Sequence, residues 1–251
     1  MIDKLFDVER IAGKRILITG GTTGIGRALA IRLAKLGANI VIVGRHQESI
    51  EETLNAIEHE DTEMQVLGVA ADMSLHEDIE KVFLTVSNEL GGLDILINNA
   101  SLGYGGVMEG KYSDWEYIVK TNLMGYLACS HYAIAEMQTQ GSGYIIHIGS
   151  MSADVRGENS SVYVATKAAI QGFSESLRKE VNPKGIHVVL IEPGAVDTDM
   201  QDLPEEEKQK QIDNLEMLVA DDIAQSVVYV LSQSNRTSIV GLKIKPLKQI
   251  I

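Results

Sequence analysis

Arg15-Ile16-Leu17-Ile18-Thr19-Gly20-Gly21-Thr22-Thr23-Gly24-Ile25-Gly26-Arg27-Ala28-Leu29-Ala30 is the stretch that decides the fold. An apolar, β-branched run passes through clustered glycines into residues of helical periodicity, so a strand, a tight turn and a helix follow one another directly. Gly20, Gly24 and Gly26 let the backbone turn sharply and approach a phosphate closely. The amides and dipole of the helix start favour its negative charge. The spacing is Gly-x-x-x-Gly-x-Gly rather than the GxGxxG of many dinucleotide folds.

Outward from this turn the same alternation continues. Apolar runs at 15–19, 39–43, 65–70, 94–98, 144–148, 187–191 and 239–244 predict strands. Amphipathic segments at 25–36, 47–58, 75–89, 113–138, 162–180 and 221–232 predict helices. Strands that are apolar throughout belong to parallel sheets buried on both faces. The expected class is therefore α/β, a Rossmann-like doubly wound seven-stranded parallel sheet with helices on both faces. One domain spanning 1–251 is expected, since nothing resembling a linker divides the chain. The rhythm breaks only at 200–217, where Pro204 opens the run Glu205-Glu206-Glu207-Lys208-Gln209-Lys210. This run reads as a solvated helix face or as part of a mobile substrate lid.

Charge and composition remove other classes. A net charge of −13 opposes a nucleic-acid backbone and anionic membranes. Without a signal-peptide pattern or a long apolar run, the chain is expected to be cytoplasmic. Cys129 is the sole cysteine, expected as a buried packing residue in a reducing compartment. The six histidines form no pair or cluster of metal-ligand spacing, so no metal site is expected.

The second predicted strand ends in Val43-Gly44-Arg45-His46. A protein specific for NAD would place a carboxylate there for the adenosine ribose hydroxyls, whereas Arg45 offers a rigid fork of donors suited to a 2′-phosphate. This points to NADP(H). Further on, Ser150 precedes Tyr163 by thirteen residues, and Tyr163 and Lys167 stand at i and i+4 on one helix face. A neighbouring ammonium favours the phenolate and lowers its pKa, making Tyr163 a candidate general acid/base. Ser150 would bind the reacting oxygen.

In order and spacing, Thr19-Gly-x-x-x-Gly-x-Gly26, Asn98-Asn99-Ala100, Asn122, Ser150, Tyr163-x-x-x-Lys167 and Pro193-Gly194 with Thr198 resemble the short-chain dehydrogenase/reductase family over nearly the whole chain. The resemblance implies hydride transfer from the nicotinamide to a carbonyl carbon while Tyr163 protonates the oxygen. It implies that Lys167 holds the nicotinamide ribose and depresses the Tyr163 pKa, and that Asn122 anchors a water behind Lys167. By the same carry-over, Thr22 and Ile25 sit against the pyrophosphate, Asp72 and Met73 flank the adenine, and Asn99 with Ala100 lines the cofactor cleft. Pro193, Gly194, Val196 and Thr198 contact the carboxamide side. The family also implies a homo-oligomer, tetramer or dimer, built on the two long helices.

The chain departs from the family at Ser101, where glycine is usual, at His147, where asparagine is common, and at Gly241 to Pro246, which replaces an Asp-Gly-Gly ending. The expected function is NADP(H)-dependent oxidoreduction of a small carbonyl or secondary alcohol. The alternative is an NADP(H)-binding sensor or scaffold without turnover, against which the complete set of Ser150, Tyr163, Lys167 and Asn122 speaks.

Overall fold

A computed structural model describes residues 7–57 and 64–250. Seven parallel strands, β1 (Arg15–Thr19), β2 (Asn39–Gly44), β3 (Val66–Ala70), β4 (Ile95–Asn98), β5 (Gly143–Ile148), β6 (Ile186–Pro193) and β7 (Gly241–Ile244), form one sheet in the order β3-β2-β1-β4-β5-β6-β7. The order reverses between β1 and β4. Doubly wound sheets open a crevice at that point, beyond the carboxyl ends of the strands.

Strand periodicity divides the core in two. Ile16, Ile18, Ile40, Ile42, Ile97 and Ile146 point to one face, where they meet α1 (Gly24–Lys35), α2 (Gln47–Ala56) and α9 (Ala220–Leu231) through Leu29, Leu33, Ile50, Ile223 and Val227. Leu17, Val41, Val43, Leu96, Ile145 and Val188 point to the other. There they meet α3 (His76–Leu90), α5 (Gly125–Gln140) and α7 (Ser161–Val181) through Val82, Phe83, Ala133, Met137 and Leu177. Cys129 is buried in this second core, and burial pushes its thiol up to about 12, so it packs rather than reacts.

The long helix expected at 113–138 is broken. It divides into α4 (Tyr112–Val119), a π-helical turn at Lys120–Met124 and then α5. The widened turn carries Asn122, whose amide leaves the helix to bond the backbone of Leu102. Such π turns are frequent where a side chain is drawn aside for function. The strand expected at 239–244 begins only at Gly241. The helix expected at 47–58 ends by Ala56, and Glu58 lies outside the described residues. Shorter elements among the described residues include the single turn α6 (Ser152–Val155), α8 (Glu205–Asp213) and 3-10 turns at Val8–Ile11 and Asn182–Lys184.

Candidate active site

The crevice at the switch point is a cleft of about 1220 Å³, larger than the ~300–1,000 Å³ of ordinary small-ligand pockets. The glycine turn forms one wall. The backbone of Gly20 is left-handed (φ +62°), and a Cβ there would lie 2.8 Å from Ala100 Cα. Gly24 is likewise left-handed (φ +48°) and lies against Thr198. Asn99 ties the turn down by donating to the carbonyls of Thr19 (3.1 Å) and Gly20 (2.8 Å), while Thr19 Oγ1 accepts from the amides of Asn99 and Ala100. Helix α1 then starts with no side-chain cap and no acidic residue in its first turn, leaving its dipole and free amides turned to the cleft.

Gly26 stands behind this wall and does not line the cleft. A Cβ there would collide with the Gly20 carbonyl oxygen and the Asn99 amide, so its absence lets α1 pack against the turn. Gly26→Ala is expected to destabilise the protein by about 1–3 kcal/mol in denaturant titrations, the usual cost of overpacking a close backbone contact. Unchanged stability would show that the turn shifts freely.

At the far wall, Ser150 follows the end of β5. Its Oγ donates to Ser152 Oγ (3.0 Å) and accepts from the Ser152 amide (3.1 Å). Tyr163 and Lys167 project from one face of α7, and all three residues line the cleft with Gly20, Thr22, Gly24, Ile25 and Arg45. Lys167 is 2% exposed; its Nζ donates to the Ile148 carbonyl (3.1 Å), which Tyr126 Oη also donates to (3.0 Å). The ammonium lies 5.7 Å from the Tyr163 ring centre.

The electrostatics correct one expectation. Burial pushes the Tyr163 phenol up, and hydrogen bonding with Ser150 is what opposes that rise. Burial brings the Lys167 amine down to about 7. Desolvation outweighs any effect of the ammonium on the phenol, because Lys167 is itself stripped of water and turned toward a carbonyl. Burial therefore favours the protonated phenol of Tyr163.

Asn122 is fully buried and does not line the cleft. It clamps Leu102 from both sides, accepting from its amide (2.8 Å) and donating to its carbonyl (2.8 Å), and donates to Thr166 Oγ1 (3.3 Å). No direct bond joins it to Lys167 among the described contacts. On β5 itself, His147 is held between Ser130 (3.2 Å) and Ser174 (2.8 Å), and burial brings its pKa down to about 3, so it stays neutral.

Met73, Asp72, Asn99, Ala100, Pro193, Gly194, Val196 and Thr198 line the cleft as well, and the structure brings them together with the catalytic candidates. Sequence reasoning missed Thr121 and Gln249 in the lining. Gln249 carries no motif at all: the chain after β7 folds back so that its Oε1 accepts from the Ala195 amide (3.1 Å). Thr121 Oγ1 and Ser101 Oγ are buried in this wall without a hydrogen-bond partner among the described residues. The acidic run forms α8, moored by Lys208, which pairs with Asp197 (3.4 Å) and Glu205 (3.1 Å).

A family model described as short chain dehydrogenase matches residues 14–209. The chain belongs to the short chain dehydrogenase family. It is 30% identical over 240 residues to an uncharacterized oxidoreductase of Staphylococcus epidermidis, covering 95% of this chain and 100% of that one. Among solved structures, it is similar to a short chain dehydrogenase from Burkholderia cenocepacia in complex with NADP, at 30% identity and a TM-score of 0.84, covering 94% and 98% of the two chains. A 3-ketoacyl-(acyl-carrier-protein) reductase from Brucella melitensis, complexed with NADH, is similar at 27% identity and a TM-score of 0.84, covering 96% and 100%. As a short chain dehydrogenase, the protein is an oxidoreductase of a family that uses a nicotinamide cofactor on small molecules. Among the described residues, no helix is long and apolar enough to cross a membrane.

Proposed function

We propose that the protein is an NADP(H)-dependent oxidoreductase that interconverts a carbonyl and a secondary alcohol on a small molecule. The observation that carries this reading is that Ser150, Tyr163 and Lys167 share one cleft with an anion-ready glycine turn and with Arg45. The nicotinamide supplies or accepts the hydride. Thr22, Gly24 and Ile25 would hold the pyrophosphate, Arg45 the 2′-phosphate, and Asp72 with Met73 the adenine. Asn99 and Ala100 would flank the cofactor, with Pro193, Gly194, Val196 and Thr198 at the carboxamide end.

In the reductive direction Tyr163 donates its proton to the carbonyl oxygen, and the Ser150 hydroxyl bonds the same oxygen and stabilises its growing charge. Lys167 would hold the cofactor ribose and pass a proton to Tyr163. Asn122 supports the relay by fixing Leu102 and Thr166, whose hydroxyl donates to the Tyr163 carbonyl (2.8 Å). The substrate enters beside Ser101, Met151 and Met200, and 200–217 forms a lid over it. Under the same proposal, the protein is a cytoplasmic homo-oligomer, tetramer or dimer, packed through α4 with α5 and through α7. Exposed Val119 and Met124 favour such packing.

The end of β2 supports NADP(H) over NAD(H). Gly44 is buried against Thr22, no carboxylate stands at the strand end, and the exposed Arg45 follows it. Arg45→Ala is expected to weaken NADPH binding by about 10- to 100-fold, the range for a charge-assisted phosphate contact, and to leave NADH binding unchanged. Calorimetric titration of both nucleotides tests this. Tighter binding of NADH than NADPH by the wild type would overturn the cofactor assignment.

A further inference from the structure

Arg45 is an exposed arginine on a turn, and such a side chain gives up much rotamer freedom when it grips a phosphate. Here it is already held. Arg45 Nη1 donates to Tyr117 Oη at 3.1 Å, and Tyr117 Oη donates onward to Asp72 Oδ2 at 2.8 Å. Asp72 in turn is fixed from its other oxygen, where Oδ1 accepts from the Ser74 amide at 2.8 Å, while the Asp72 amide donates to Asp78 Oδ2 at 2.7 Å. Three elements therefore meet at one phenol: the end of β2, the turn after β3, and α4.

We infer that Tyr117 is a positioning residue for cofactor selectivity, presetting Arg45 to receive the 2′-phosphate of NADP(H); this rests on the cofactor reading above. The phenol suits the task chemically. Burial, together with donation to Asp72, raises its pKa, so it stays protonated, donates to the carboxylate and keeps its lone pairs for the guanidinium. The arrangement also separates two charges that would otherwise collapse together. Asp72, held ionised by Ser74, Tyr117 and Arg45 against the effect of burial, would pull an untethered guanidinium into a direct ion pair. With Tyr117 between them, Arg45 stays at the rim with four of its five N–H donors free of Tyr117. Nothing in the local sequence around Tyr117 signals this role, since the residue lies on a helix about seventy positions away from Arg45.

The inference separates from a merely structural role through selectivity and coupling. Calorimetry with adenosine 2′,5′-bisphosphate and with 5′-AMP would be run on the wild type, Tyr117→Phe, Arg45→Ala and the double variant. Phenylalanine keeps the ring and its packing. Tyr117→Phe is expected to weaken the bisphosphate about 3- to 10-fold, the range for losing one neutral hydrogen bond that organises a charged one, and to weaken 5′-AMP by less than about 2-fold, because Asp72 keeps its bond to the Ser74 amide. Adding Tyr117→Phe to Arg45→Ala should then cost nothing further. Equal losses for both nucleotides, or a loss that persists without Arg45, would overturn the inference and leave the cofactor reading intact. A wild type that does not prefer the bisphosphate would overturn both.

Discussion

Tyr163→Phe is expected to bind NADPH as the wild type does and to reduce carbonyl substrates about 10²- to 10⁴-fold more slowly, the usual contribution of a positioned proton donor. The ring, its packing and the Lys167 contact survive the change; only the hydroxyl facing Ser150 is lost. The pH profile carries a sign that distinguishes this role. Because burial raises the Tyr163 pKa above its ordinary 10.0, the phenol holds its proton through neutral and mildly alkaline pH. Reduction by the wild type should persist across that range and fall only as pH passes the phenol pKa. Alcohol oxidation, which needs the phenolate, should rise with pH instead. A variant that keeps reductive turnover within a few-fold of the wild type would remove Tyr163 from the chemistry.

Lys167→Met is expected to abolish turnover and, without cofactor, to make the protein more stable. The buried amine titrates near 7 in the folded protein against 10.5 ordinarily. Below about 7 both folded and unfolded chains carry the proton, and the folded one bears the full cost of a desolvated charge. Between about 7 and 10.5 the unfolded chain binds more protons, so wild-type stability climbs with pH across that window. Methionine fills the same space without charge and should gain up to about 5 kcal/mol at or below neutral pH, with the advantage fading toward pH 10.5. Urea denaturation of both proteins across that pH range checks this. A variant less stable than the wild type at pH 6 would mean that the bond to Ile148 outweighs the desolvation. Such a trade of stability for a functional charge is common at active sites.

Much of this was legible in the sequence for a physical reason. Buried parallel strands must be apolar throughout, and the turn between β1 and α1 must be glycine where its backbone is left-handed or closely approached, so Ile16 to Gly26 announces both fold and cleft. Tyr163 and Lys167 were legible because helical geometry alone places i and i+4 on one face. What escaped depends on distant elements meeting. The π turn at Asn122 arises from a bond to Leu102, twenty residues earlier, and no periodicity records it. Tyr117 reaches Arg45 and Asp72 from α4, and Gln249 reaches the cleft from beyond β7, through tertiary packing that neither segment encodes. The direction of the Tyr163 pKa is not legible, because a linear sequence shows its cationic neighbour but not how little water reaches either group.

A crystal structure of the protein with NADP⁺ is the most direct test. The nicotinamide ring should lie beside the Tyr163 and Ser150 hydroxyls, with the ribose on Lys167 and the 2′-phosphate against the Arg45 guanidinium. A dinucleotide bound in the reverse sense, or with its ring away from Tyr163, would contradict it.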